Sequence, residues 1–291
     1  METDCRLCPR HCGVDRSQKT GFCKMGENLK AARAALHFYE EPFLSGQSGS
    51  GAVFFSGCTL KCVYCQNKEI SREPKGKEYT PTELADIFLE LQENGAHNIN
   101  LVTPTHFTSQ IVNALDIAKN KLNIPVVYNT SGYENVETLK LLKGYVDVYL
   151  PDFKYYDGKL SAKYSKAPDY FEVAISAVKE MYEQVGEYRE NGDGMAQKGV
   201  MIRHLVLPGC RRDSVKILEE IKNILPIENI RLSLMSQFTP EFVSHEYKEL
   251  SRRITTFEYN YVLNKAIELG YKGFFQQKDS ASAKYTPNFN E

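Results

Sequence analysis

The sequence predicts an α/β protein built on a parallel sheet, and three observations carry the prediction. Short apolar runs alternate six times with stretches of helical periodicity, the pattern of repeated strand–helix units. The first of the long helices is punctuated at both ends by residues suited to starting and stopping it. Polar residues gather just behind the apolar runs, at the carboxyl ends of the strands, where both open doubly wound sheets and closed barrels place their sites. Periodicity alone does not separate those two architectures.

The elements follow in order. Residues 51–55 (GAVFF) read as the first strand and run into a cysteine-bearing loop. Leu84, Ile87, Phe88 and Leu91 then recur at i, i+3, i+4, i+7 in an amphipathic helix. Thr80 and Glu83 form its capping box, Pro81 sits at its first position, and Asn94-Gly95 closes it. Strands are expected at 98–103, 124–128, 146–150, 200–207 and 230–235. Helices are expected near 108–120, 134–143, around Val178, Met181, Tyr182 and Val185, near 214–224 and near 256–269. Residues 1–45 read as a small Cys-rich appended module, and residues 46–291 as the core with a C-terminal tail. The polar stretch 186–199 reads as a surface loop or a mobile cover over the site.

Composition bounds the function. The chain has 291 residues, 42% hydrophobic and 25% charged, enough for a sizeable core. A formal net charge of −1 gives no global field toward nucleic acid or an acidic membrane, and no basic, aromatic surface stretch argues for nucleic acid. The beginning has no apolar segment of the signal-peptide kind and no later run has the length of a membrane span, so a cytoplasmic protein is expected. In that setting eight cysteines favour metal over disulfides.

Two cysteine groups stand out. Cys58, Cys62 and Cys65 form C-x3-C-x2-C directly after the first strand, one thiolate short of a closed tetrahedral site. Structural zinc completed by Cys210 or a histidine is one reading; an iron–sulfur cluster with one iron open to a small molecule is the other. Cys5, Cys8, Cys12 and Cys23 form C-x2-C-x3-C-x10-C, complete in itself, and fit either zinc or a second iron–sulfur cluster. Around the first group the strand ends bring Thr103 and His106, Asn129, Thr130 and Ser131, Asp152 and Lys154, Arg203 and His204, and Ser236 and Gln237, which together read as one cavity with polar anchors.

The motif C-x3-C-x2-C with Tyr64 before its last cysteine resembles the signature of the radical S-adenosylmethionine (SAM) superfamily, whose fold is a partial (β/α)6 TIM-like barrel. CVYCQN, VYNTSGY, YLPDFK and IRHLVLPG are similar to segments of the pyruvate formate-lyase activating enzyme branch. GSGAVFFSGC, NINLVTPTHF and RHLVLPG are similar to the PflX-type iron–sulfur proteins along essentially the whole chain. The resemblance implies that Cys58, Cys62 and Cys65 hold a 4Fe-4S cluster, that Tyr64 packs near the adenine of SAM and that Asn67 lies beside the cofactor. It places Asp152 and Lys154 around the cofactor's polar end, with Thr103, His106, Asn129, Thr130, Ser131 and His204 completing its surroundings. Two departures are visible. Asn129-Thr130 stands where the branch has Asp-Thr, and Thr103-Pro104-Thr105-His106 stands where most members have the Gly-Gly-Glu that binds the methionyl amino group.

The expected function is therefore reductive cleavage of SAM to methionine and a 5'-deoxyadenosyl radical that abstracts hydrogen from a substrate. The resemblance further implies a one-electron donor of the flavodoxin or ferredoxin kind, and a protein glycine as substrate in the manner of a glycyl-radical activase. A small-molecule- or RNA-modifying radical enzyme, and a non-catalytic metalloprotein that transfers electrons or docks partners, are the alternative readings.

Overall fold

The structure is a computed structural model that describes residues 4–276 together with Pro287 and Phe289. The rest of the expected C-terminal tail lies outside the described residues. In chain order the elements are β1 (Lys30–His37), α1 (Pro42–Ser45), β2 (Ser50–Phe55), α2 (Lys68–Arg72), β3 (Lys77–Glu78), α3 (Pro81–Glu93), β4 (Ile99–Val102), α4 (Thr108–Ala118), β5 (Val126–Thr130) and α5 (Val136–Lys140). They continue with β6 (Val148–Pro151), α6 (Gly158–Ser165), α7 (Tyr170–Val185), β7 (Arg189–Glu190), β8 (Ala196–Leu205), α8 (Arg211–Ile224), β9 (Arg231–Met235), α9 (Thr256–Leu269) and β10 (Gly273–Phe275).

The sheet runs β10-β9-β8-β6-β5-β4-β2-β1-β3. From β10 to β2 each neighbouring pair is parallel, as six strand–helix units require. Every residue of β2, β4, β5 and β6 is buried, the mark of strands covered on both faces. The path ends at β10 and β3 rather than closing on itself. Among the described residues no helix is long and apolar enough to cross a membrane.

Two segments differ from expectation. Residues 30–37, within the part the sequence sets apart as a module, form β1 and pair antiparallel with β2 from Ala31↔Phe55 to His37↔Ser50. Pairing along six register positions with a buried neighbour overrides the helix propensity of an Ala-rich run. Residues 186–199 form no cover over the strand ends: Arg189 and Glu190 pair with Lys198 and Ala196 at the start of β8, which is the amino end of the parallel strands.

Strand alternation divides one face of the sheet into two layers. Near the amino ends Val127, Val148, Leu150 and Met201 pack with Leu44 of α1 in one apolar cluster. One step further along the same strands and the turns behind them stand Asn129, Asp152 and Arg203, so a greasy floor lies beneath a polar layer. The opposite face carries Tyr128, Tyr149 and Ile202 into the large core beneath α3, α4, α7, α8 and α9.

Candidate active site

A cavity of about 250 Å³ opens at the carboxyl ends of the strands. It is lined by Cys58, Cys62 and Cys65 on one side and by Asn129, Thr130, Ser131, Asp152, Lys154 and Arg203 on the other. Tyr64, Asn67 and Thr103 line it as well, as does Pro287 from the tail.

The cysteine loop leaves β2 through Gly57, whose φ of +83° lies in the left-handed region. A Cβ there would fall 2.6 Å from the Cys23 carbonyl oxygen and 2.6 Å from Met25 Cγ, so only glycine allows the approach. Lys61, also left-handed at φ 56°, turns the chain between Cys58 and Cys62. Each sulfur of the trio receives a donor. Leu60 N–H points to Cys58 Sγ at 3.4 Å, Ser165 Oγ donates to Cys62 Sγ at 2.9 Å, and Ser71 Oγ donates to Cys65 Sγ at 3.6 Å. Burial pushes the Cys65 thiol up to about 12 and raises that of Cys62. Without a cation Cys62 and Cys65 are therefore neutral thiols, and coordination is what makes them thiolates.

Behind Cys62 runs a chain of hydroxyls that the sequence did not reveal. Ser165 Oγ lies 2.7 Å from Tyr155 Oη, which lies 2.6 Å from Tyr64 Oη. Tyr64 is thus anchored at its hydroxyl while its ring meets Phe238 edge-on at 6.0 Å and lines the cavity. Asn67 sits at the amino end of α2, two residues beyond Cys65.

The opposite wall is a charged network centred on Arg203. Its Nε donates to Asp152 Oδ1 at 2.8 Å, Nη1 to Glu40 Oε1 at 2.8 Å and Nη2 to Asn129 Oδ1 at 2.7 Å. Asn129 and Asn100 each return a donor to Glu40 Oε2 at 3.0 Å, and Lys154 Nζ lies 2.5 Å from Asp152 Oδ2. Burial pushes Asp152 up, but the two cations beside it more than offset this and hold its carboxyl below the usual range. The next carboxyl along from Glu40 behaves oppositely. Burial drives Glu41 to about 7, against the pull of Arg203.

The structure brings together most of the residues the sequence proposes. His106, His204 and Ser236 are exceptions: none of them lines the cavity, although Gln237 beside Ser236 does. His204 alternates with Arg203 and Leu205 on β8, so when those two face the cavity it faces the core, where Nδ1 meets the Phe153 carbonyl at 2.6 Å. His106 folds back in the turn after β4 and meets the Ser56 carbonyl at 2.6 Å through Nε2. Burial lowers both to about 4, so both rings are neutral at pH 7. Cys210 begins α8 away from the cavity and supplies no fourth thiol. Glu40 and Tyr155 escaped the sequence reading. Glu40 stands in a Glu-Glu-Pro turn that reads as solvated, and Tyr155 looks like any aromatic after a strand.

Thr103 occupies the place of the missing Gly-Gly-Glu with φ 60°, and its N–H bonds the Asn129 carbonyl at 2.8 Å. A β-branched residue in left-handed backbone is strained, and strain held at a cavity wall points to use there. The donor set fits a cluster with one open position: three hydrogen-bonded sulfurs, that of Cys62 on a buried residue and those of Cys58 and Cys65 on partly exposed ones, no fourth cysteine in the wall, and a polar cage facing them.

Comparison with known proteins agrees with this geometry. An uncharacterised protein, MJ0674 of Methanocaldococcus jannaschii, is 34% identical over 281 residues, 92% of this chain and 75% of its own length. The pyruvate formate-lyase-activating enzyme of Clostridium pasteurianum is 27% identical over 191 residues, 62% of this chain and 72% of that enzyme. Streptococcus suis SuiB, solved bound to S-adenosylmethionine, shares the fold with a TM-score of 0.50 at 16% identity, over 75% of this chain and 47% of SuiB. The sheet is accordingly the partial barrel of that fold. The sequence model of the radical SAM superfamily matches residues 52–209, which run from the first parallel strand through the Arg203 network, and the chain belongs to that superfamily.

Proposed function

We propose that this protein is a radical SAM enzyme of the pyruvate formate-lyase-activating-enzyme-like branch, nearest the PflX-type proteins, and that it abstracts hydrogen from a substrate bound over the cavity. The observation that carries the reading is the open trio itself: Cys58, Cys62 and Cys65 converge on the wall of a cavity whose opposite side is polar and braced. When bound, a 4Fe-4S cluster and SAM supply the one-electron cleavage of the sulfonium bond and the 5'-deoxyadenosyl radical.

The chain's own residues do the rest. Cys58, Cys62 and Cys65 hold three irons and leave the fourth to the cofactor. Asp152 and Lys154 hold the cofactor's charged end, with Asn129, Thr130 and Ser131 beside them and Thr103 taking the part of the absent Gly-Gly-Glu. Tyr64 and Phe238 offer aromatic surface for the adenine. The apolar floor of Leu44, Val127, Val148, Leu150 and Met201 seals the lower end against water. The likeness to the Clostridium enzyme, which activates a formate-lyase, supports a protein as substrate; a glycine of that protein as hydrogen source and a flavodoxin- or ferredoxin-type electron donor complete the proposal.

The test is anaerobic reconstitution with iron and sulfide, then a reductant-dependent assay for 5'-deoxyadenosine. The parent forms it, and Cys58→Ala loses at least a hundredfold. A fully iron-loaded parent that forms none, or a Cys58→Ala variant that matches it, excludes the reading. Deuterium carried from a labelled glycyl-radical-type protein into 5'-deoxyadenosine identifies the substrate class.

A further inference from the structure

The N-terminal segment is docked on the catalytic loop. Arg10 donates to Thr59 O at 2.7 Å, inside the Cys58–Cys65 loop, and to Ser165 O at 2.9 Å, at the end of α6. Thr138 of α5 donates to Leu7 O at 2.8 Å. Within the segment, Cys5 N–H bonds Val14 O at 3.0 Å and Gly13 N–H bonds Cys5 O at 3.1 Å, folding the first three cysteines into one tight loop. Cys12 and Cys23 meet beside Gly21, where an added Cβ would lie 3.3 Å from one sulfur and 3.7 Å from the other. Cys12 Sγ accepts the Phe22 N–H at 3.1 Å. Cys5, Cys8 and Cys23 are buried, while Cys12 is partly exposed.

A second observation is a buried cation beside these sulfurs. Arg16 is buried beside them, and Cys23 is among its electrostatic neighbours. Its guanidinium donates to two carbonyls, His106 O and Gly26 O, each at 2.5 Å, and lies over the Phe107 ring at 5.5 Å, while Nε is left without a hydrogen-bond partner. Among the described residues no carboxylate pairs with it. A buried cation of this kind calls for an anion, and a metal–thiolate centre is one.

The third observation is adjacency. The Cys23 carbonyl packs on Gly57, the residue before Cys58, and Lys61 has both Cys23 and Cys58 as electrostatic neighbours. One backbone contact separates the two cysteine groups. Zinc has no redox chemistry to exploit such a contact.

We propose that Cys5, Cys8, Cys12 and Cys23 hold a second iron–sulfur cluster that relays electrons to the first. It takes one electron from a low-potential one-electron carrier protein at the Cys12 side and is reoxidised as the cluster on Cys58, Cys62 and Cys65 is reduced; no bond is made or broken. The existence of the centre is independent of the radical-enzyme reading, whereas the relay rests on it.

The experiment separates the two. Cys58, Cys62 and Cys65 are replaced together by Ala, and the reconstituted variant is assayed for iron, sulfide and zinc and by electron paramagnetic resonance after reduction. About four irons per chain and a reduced-cluster signal are expected; zinc in their place, or no metal, overturns the centre whatever the parent does with SAM. The parent then carries about eight irons, and an iron count that does not fall when Cys8 and Cys12 are both replaced by Ala overturns the centre even where the triple variant misfolds. In the Cys8→Ala, Cys12→Ala double variant, reduction of the remaining cluster by a flavodoxin-type donor slows at least tenfold, while reduction by dithionite keeps its rate. An unchanged rate with the protein donor overturns the relay.

Discussion

Arg203 satisfies two carboxylates and an amide at once, and its value lies in what its removal leaves behind. Arg203→Met leaves Glu40 without its cation and Asp152 with Lys154 alone, both carboxylates less than a fifth exposed. Breaking such a pair by removing one partner costs about 3 kcal/mol or more, and the denaturant midpoint of unfolding is expected to fall accordingly. Ser165 makes a smaller, electronic contribution, because its hydroxyl donates to Cys62 Sγ. Donors to cluster sulfurs favour the reduced state, so Ser165→Ala is expected to lower the cluster's potential by roughly 40 mV, the one-electron equivalent of about 1 kcal/mol, in a spectroscopic redox titration. At this scale the sequence is legible where chemistry demands a rare residue type. Three cysteines in a short loop announce themselves, and Asp152 and Lys154 stand two apart behind a strand, on either side of the buried Phe153. Parity was not legible to the same degree. Arg203 and His204 are adjacent and both polar, and only the register of β8 decides that the arginine faces the cavity.

The six strand–helix units and their order followed from apolar periodicity, yet several elements had no such signal. β10 is three residues long, and α6 is a polar helix started by Asp157, whose side chain accepts the Lys159 N–H. β1 has a sequence suited to a helix and exists as a strand because β2 presents it with an edge. Helix starts are set by local chemistry and are correspondingly readable. The Thr80–Glu83 capping box is present on α3, and Thr255–Glu258 repeats it on α9. Glu258 also accepts Gly209 N–H at 2.7 Å, tying α9 to the turn after β8. Thr255→Ala is expected to cost about 1 kcal/mol in thermal or chemical unfolding while leaving iron content unchanged, because the cap is remote from both cysteine groups.

For the molecule as a whole, buried carboxyls set the response to pH. Glu134 lies beneath the ends of β4 and β5, accepting from Thr105 Oγ1 at 2.6 Å and from Thr130 Oγ1. Burial raises it from 4.5 to about 7. Between those values the folded chain keeps a proton that the unfolded chain has released, so stability falls as pH rises from about 4.5 to about 7 and levels off above. Glu134→Gln removes this contribution. Comparing denaturation at pH 5 and pH 8, the parent is expected to lose about 2 kcal/mol more than the variant.

The Arg203 network also governs how this protein changes over generations. One guanidinium joins the turn after β1, the end of β5, the turn after β6 and β8 itself, so a substitution at any of the four leaves a stranded charge or amide at the others. Coupled positions of this kind drift together or not at all. Gln237, in the turn after β9, also lines the cavity but stands outside the network. New substrates are therefore reached by altering that turn, one residue at a time, while the braced side keeps the inherited chemistry.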